Sequence, residues 1–202
     1  MPTIESVFQA IDEATARSDA DALRRAAYDL ETVLMEGDPG VASEIAEGVI
    51  RRLGTAEFRA APSAWHVLFA VRDDLENLSE EKRRRLFLAM VDAFDSFADW
   101  MSSFVVSEMA EYFATGWALQ AVRTRLADTD ERVRRYVPHT LEHIARAAPE
   151  STVAREAFDS LVAMLRDPAP EVREEARTSL GRIAGTEGDL AALAKDLLVS
   201  SG

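Results

Sequence analysis

Two stretches of this chain repeat one pattern at an offset of 39 residues, and that internal copy limits the fold more than any other feature. Leu126-Ala127-Asp128-Thr129-Asp130-Glu131-Arg132-Val133-Arg134 aligns with Leu165-Arg166-Asp167-Pro168-Ala169-Pro170-Glu171-Val172-Arg173. The match continues, with Val137 on Ala176, Leu141 on Leu180, Ile144 on Ile183 and Ala145 on Ala184. Leucine closes one amphipathic segment, an aspartate turn follows, and Val-Arg opens the next. A unit this short cannot bury its apolar face alone, so stacked neighbours must complete the core.

Apolar residues recur at three- and four-residue spacing along most of the chain, without convincing alternation, so the regular elements are expected to be helices. The pattern predicts helices over 3–17, 19–35, 40–54, 62–77, 80–100, 103–127, 130–147, 151–166, 169–185 and 187–200. Asp19 caps the second, and Gly37-Asp38-Pro39-Gly40 breaks the chain after it. Ser79 opens the fifth, with Glu80 and Glu81 at the positive helix end. Short connections set successive helices antiparallel. Pro138, inside 130–147, removes one backbone bond, and a kink that exposes the Arg134 carbonyl is expected there.

The segment Leu161-Val162-Ala163-Met164-Leu165-Arg166-Asp167, followed by Glu171-Val172-Arg173-Glu174-Glu175-Ala176 and Ser179-Leu180-Gly181-Arg182-Ile183-Ala184, resembles the HEAT-repeat family of armadillo-like helical repeats. Two repeats are clear, at 111–147 and 150–185; an echo occurs near 18–30, and 55–110 departs from the pattern. The resemblance implies an all-α fold: a right-handed α-α superhelix, a HEAT/armadillo-like solenoid of about ten antiparallel helices in about five hairpins. A single helical-repeat domain over 1–202 is expected. It also implies a structural role for Asp128 with Arg134 and Asp167 with Arg173, pairs that stitch the inter-helix turn to the neighbouring repeat. Aspartate accepts from free N–H groups at the helix start, and arginine spans to it or to the next unit's aspartate.

Composition removes several function classes. There are no cysteines, hence no disulfide scaffold, thiolate metal site or cysteine nucleophile. The net charge of −13 opposes phosphate backbones, so no nucleic-acid partner is expected. Residues 1–101 hold 20 acids against 11 bases, and 102–202 hold 16 against 12. That acidity fits either salt adaptation or a basic partner. No apolar run nears the roughly 20 residues that span a bilayer, and Met1-Pro2-Thr3-Ile4-Glu5 lacks a signal-peptide layout. A soluble, cytoplasmic protein without a membrane partner is the expectation.

The sharpest local motif is His139-Thr140-Leu141-Glu142-His143, in the order of the inverted zinc-protease motif. Such a site needs a third ligand, with Glu142 as base. The repeat alignment sets His139 opposite Thr178 and His143 opposite Arg182, all on the solvent face, so a surface coincidence is expected. A metal-dependent enzyme through His139 and His143 is the least favoured reading. No catalytic, cofactor-binding or metal residues and no cofactors are assigned.

The expected function is that of a non-enzymatic scaffold or adaptor that binds a protein partner along its concave helical surface. The alternative is an acidic inhibitor or immunity-type protein that neutralises a basic enzyme. In the family the second helix of each unit lines the concave face. This places Arg132, Arg135, His139, Glu142, His143 and Arg146, beside Glu171, Glu174, Thr178 and Arg182, on the expected contact strip. Eight of the 15 aromatic residues, Phe87, Phe94, Phe97, Trp100, Phe104, Tyr112, Phe113 and Trp117, fall in the irregular middle. They are read as core, with self-association as the functional alternative. Asp92, Asp95 and Asp99 form an acidic stripe there, read as a solvated face.

Overall fold

The computed structural model describes residues 2–37, 39–72, 75–97, 100–113 and 115–200. Among these residues there are twelve α-helices, three 3-10 turns and no strand, so the fold is all-α, as the repeat pattern requires. Two compact units divide the chain, Met1–Val106 and Ser107–Gly202. None of the helices described is long and apolar enough to cross a membrane.

The first unit contains α1 (Ile4–Ala16), α2 (Ala20–Glu36), α3 (Pro39–Leu53), α4 (Ala56–Arg59), α5 (Trp65–Arg72) and α6 (Glu80–Asp92). The unit boundary falls inside α7 (Trp100–Met109). Asp19 caps α2 as expected, accepting from the Ala22 N–H at 2.9 Å. Ser79 caps α6, with Glu80 and Glu81 in its first turn. Helix α1 packs on α2, α2 on α5, and α3 on α6. Gly48 lets α3 approach α1 closely: a Cβ there would stand 2.1 Å from Phe8 Cζ and 2.3 Å from Cε2. The Arg52 guanidinium covers the other side of that contact, 4.1 Å over the Phe8 ring and bound to Asp12 at 2.6 and 2.8 Å.

Gly48→Ala is therefore expected to lower the melting temperature. Alanine gains about 1 kcal/mol of helix propensity, but overpacking against a buried ring costs about 1–3 kcal/mol. Thermal unfolding followed by circular dichroism measures the balance. A variant more stable than the wild type would mean that Phe8 gives way freely.

Several expected helices are divided. Region 62–77 holds α5 and a 3-10 turn, Leu75–Asn77, and α4 precedes it where no helix is expected. Region 80–100 ends as a helix at Asp92; residues 93–96 form turns, with Ala93, Phe94 and Phe97 buried. Region 103–127 contains most of α7, a 3-10 turn at Ala110–Phe113, and α8 (Gly116–Arg123). Periodicity fails here because turns that hug the same core keep burying residues three and four apart. Phe87, Phe94, Phe97 and Phe113 are core, whereas Tyr112 is 45% exposed. Asp92 and Asp95 are exposed; Asp99 and the Trp100 side chain lie outside the described residues.

In the second unit α8 is followed by α9 (Glu131–Ala147), α10 (Thr152–Ala163), α11 (Pro170–Ala184) and α12 (Asp189–Ser200). Helix α9 packs on α10 and on α11, and α11 packs on α12. Val133 and Val172, the residues aligned by the 39-residue offset, are both fully buried, as are Val137 with Ala176 and Leu141 with Leu180. The stacked helix pairs of this second unit form an armadillo/HEAT-like helical-repeat fold. Pro138 is buried and lies inside α9, which continues through it to Ala147.

The turns between helices are tied by aspartate and arginine side chains. Asp128 and Asp167 each accept from the N–H two residues on, Asp130 and Ala169, at 2.9 Å. Arg134 reaches the next repeat's Asp167 with two bonds, Nε to Oδ2 at 2.9 Å and Nη2 to Oδ1 at 3.1 Å, while its Nη1 donates to the Asp128 carbonyl at 2.7 Å. Arg173, one repeat on, donates Nη1 to the Asp167 and Pro168 carbonyls, both at 2.8 Å. Arg123 adds a link between α8 and α10 that the sequence reading missed, binding Glu156 and Ser160 at 2.8–3.1 Å.

Candidate functional site

The residues of the expected contact strip part company. Arg132, Arg135 and Arg146 on α9, and Glu171, Glu174, Thr178 and Arg182 on α11, are exposed. His139, Glu142 and His143 are not on the solvent face, which corrects their expected placement. Glu142 is 0% exposed, His143 is 8% exposed, and His139 is half-buried. The alignment with Thr178 and Arg182 misleads because the two repeats have different neighbours. Helix α9 has α10 and α11 against it, and the 3-10 turn Ala110–Phe113 also lies on it.

Glu142 is the centre of the resulting cluster. Its Oε1 accepts from Arg146 Nη1 at 3.0 Å, one turn along α9, and its Oε2 accepts from Arg182 Nη1 of α11 at 3.1 Å. His139 Nδ1 stands 3.2 Å from the same Oε2 and 2.9 Å from Arg182 Nη1. With its lone pair on Nδ1, His139 accepts from Arg182; with a proton there, it donates to Glu142. Burial pushes the Glu142 carboxyl up, and the hydrogen bonds and charges of His139 and Arg182 outweigh it, so the group stays below its ordinary value.

His143 completes the cluster. Its ring meets that of His139 edge to face, centroids 4.6 Å apart, and its Nδ1 lies 2.7 Å from Glu111 Oε1. Burial lowers the His143 pKa and the neighbouring His139 adds to that, against the opposing pull of Glu111, so the imidazole is neutral near pH 7. Glu111 is a partner the sequence did not suggest, since it sits in a turn where a continuous helix is expected. Donor atoms of His139, Glu142 and His143 all lie within 4.8 Å of one another, which makes these residues the candidate metal-holding group.

The exposed arginines of the strip are mostly engaged within the chain. Arg132 binds Asp130 at 2.7 Å and Arg135 binds Glu175 at 3.1 Å. Three exposed large side chains, which the sequence reading did not single out, lie on the first unit. Tyr28 and Met35 of α2 are 60% and 79% exposed, and Phe69 of α5, the helix packed on α2, is 39% exposed. Arg72 covers the Phe69 ring at 3.9 Å. Asp29, Glu31 and Glu36, all exposed, accompany Tyr28 and Met35 on α2.

No family model and no curated protein matches the chain. Among solved structures, one described as an engineered protein is 18% identical with a TM-score of 0.43, covering 91% of this chain and 80% of its own. A second engineered protein is 16% identical, TM-score 0.41, over 97% and 87%. Computationally designed armadillo repeat proteins for modular peptide recognition are 14% identical, TM-score 0.39, over 96% and 87%. What establishes repeat architecture in this chain is its own helix pairs and their shared Asp–Arg stitching.

Proposed function

We propose that this chain is a non-enzymatic helical-repeat module that binds a protein partner. The observation that carries the reading is the exposure of Tyr28, Met35 and Phe69 on two helices packed together. Large side chains of these types dominate the energetics of protein interfaces and are poorly placed in water without a partner. Asp29, Glu31 and Glu36 beside them favour an occupant that presents an apolar side chain ringed by lysine or arginine. Inhibition of a basic enzyme is the alternative within this reading. It calls for an encounter steered by charge and weakened by more than about tenfold from low to high salt. The exposed residues of the α9 and α11 strip, Arg132, Arg135, Arg146, Glu174 and Arg182, are a further contact surface. Their in-chain ion pairs set them behind Tyr28, Met35 and Phe69.

Affinity purification from the source organism tests this with three baits: wild type, Tyr28→Ala/Met35→Ala and Arg132→Ala/Arg135→Ala. Both double variants keep the fold, because exposed substitutions away from packing change stability by only about 0.5 kcal/mol. The expected outcome is a basic protein that co-purifies with the wild type and is lost from the Tyr28→Ala/Met35→Ala bait. Identical recovery with that bait would sink the assignment of the surface. Loss with only the arginine variant would move the contact to α9 and α11.

A further inference from the structure

We propose that His139, Glu142 and His143 form a site for a divalent first-row transition metal, zinc being the ion to test, and that Arg182 stands in the cation's place. Arg182 Nη1 lies 2.9 Å from His139 Nδ1 and 3.1 Å from Glu142 Oε2. An imidazole nitrogen and a carboxylate oxygen that converge on one cationic atom are what zinc requires, at a shorter range of about 2.0–2.2 Å. Three donors around zinc stand about 3.3 Å apart, and the present spread is up to 4.8 Å. The ligands share one helix at i, i+3 and i+4, which holds them on one face before any ion arrives.

The surroundings suit the exchange. Arg146 holds Glu142 Oε1, which leaves Oε2 as the ligand atom. Glu111 contacts His143 Nδ1, and with the proton on that side the lone pair lies on Nε2. Arg182 has a side chain 46% exposed, so it returns to water at little cost. With Arg182 in place, the charges of Glu111, Glu142, Arg146 and Arg182 cancel, and a divalent ion in its stead leaves a single positive charge on a protein whose net charge is −13. A cleft of about 320 Å³ lined by Glu111, Arg146, Ala145, Ile183, Thr186 and Leu190 lies on the Glu111 side of the cluster.

The test is a titration of the full chain with zinc chloride by calorimetry, together with metal content after equilibrium dialysis. One zinc per chain is expected. His139→Gln and His143→Gln should each weaken binding by at least about a hundredfold, and Glu111→Gln by about tenfold. Arg182→Ala should bind about fivefold more tightly, because a competing, half-exposed cation has been removed. That opposite sign separates a built site from chance histidine binding. Cobalt(II) gives a second readout: visible bands of a low-coordinate nitrogen and oxygen site, present in wild type and Arg182→Ala and absent from His139→Gln, whose half-buried position spares the fold. No zinc uptake at millimolar concentration, unchanged binding in either histidine variant, or weaker binding in Arg182→Ala would each overturn the proposal.

Discussion

Replacing Arg134 by alanine is expected to lower the unfolding free energy by about 3 kcal/mol, because it strands a carboxylate that the repeat stack buries. The Arg134 and Asp167 side chains are only 12% and 7% exposed, and two parallel bonds join them across successive repeats of the second unit. Arg173 holds the same position one repeat on but donates to carbonyls, so Arg173→Ala should cost about 1.5 kcal/mol. Urea titrations of the two variants check the contrast, and equal losses would mean that the ion pair between repeats adds nothing. The pH dependence offers a second check. Hydrogen bonds from Arg134, against the opposing pull of burial, hold the Asp167 carboxyl below its ordinary value of 3.8. A depressed folded pKa means that this stabilisation is present in full above the ordinary value and disappears as pH falls through the folded one. Wild type should therefore lose it only below about pH 3.8, and Arg134→Ala should show a flatter acid limb.

Leu141→Ala and Leu180→Ala should each destabilise by about 3 kcal/mol, within the usual 2–5 kcal/mol for a large-to-small change in a core. Both leucines are 0% exposed and stand at the same place in two repeats. Against a typical total of about 5–15 kcal/mol, the double variant approaches the limit of folding. Chemical denaturation of the two single variants and the double checks this. A negligible loss at one site, with the full loss at its repeat mate, would show that the repeats do not bury equivalent cores.

Much of the second unit was legible beforehand. A 39-residue offset with apolar residues in register admits one solution, stacked helical pairs, and the buried Val133 and Val172 occupy matching positions in it. Asp128 and Asp167 follow the same logic, since an aspartate at a helix start has few better uses than its nearby N–H groups. The middle of the chain was less legible. Phe94 and Phe97 keep the spacing of a helix while the backbone around them turns, and apolar periodicity reports burial, not hydrogen bonding.

The sequence by itself determined the helical class, the repeat length and the residues that stitch one unit to the next, because local periodicity and capping chemistry depend on near neighbours in the chain. Only the tertiary structure decided what became of His139, Glu142 and His143. Their burial depends on Glu111 and Arg182, 32 and 40 residues away from the partners they contact, and on a turn laid across α9. The same holds for Tyr28, Met35 and Phe69, whose exposure depends on which faces of α2 and α5 their neighbours cover. A residue's type fixes its preference for water, but the elements packed beside it decide whether that preference is met.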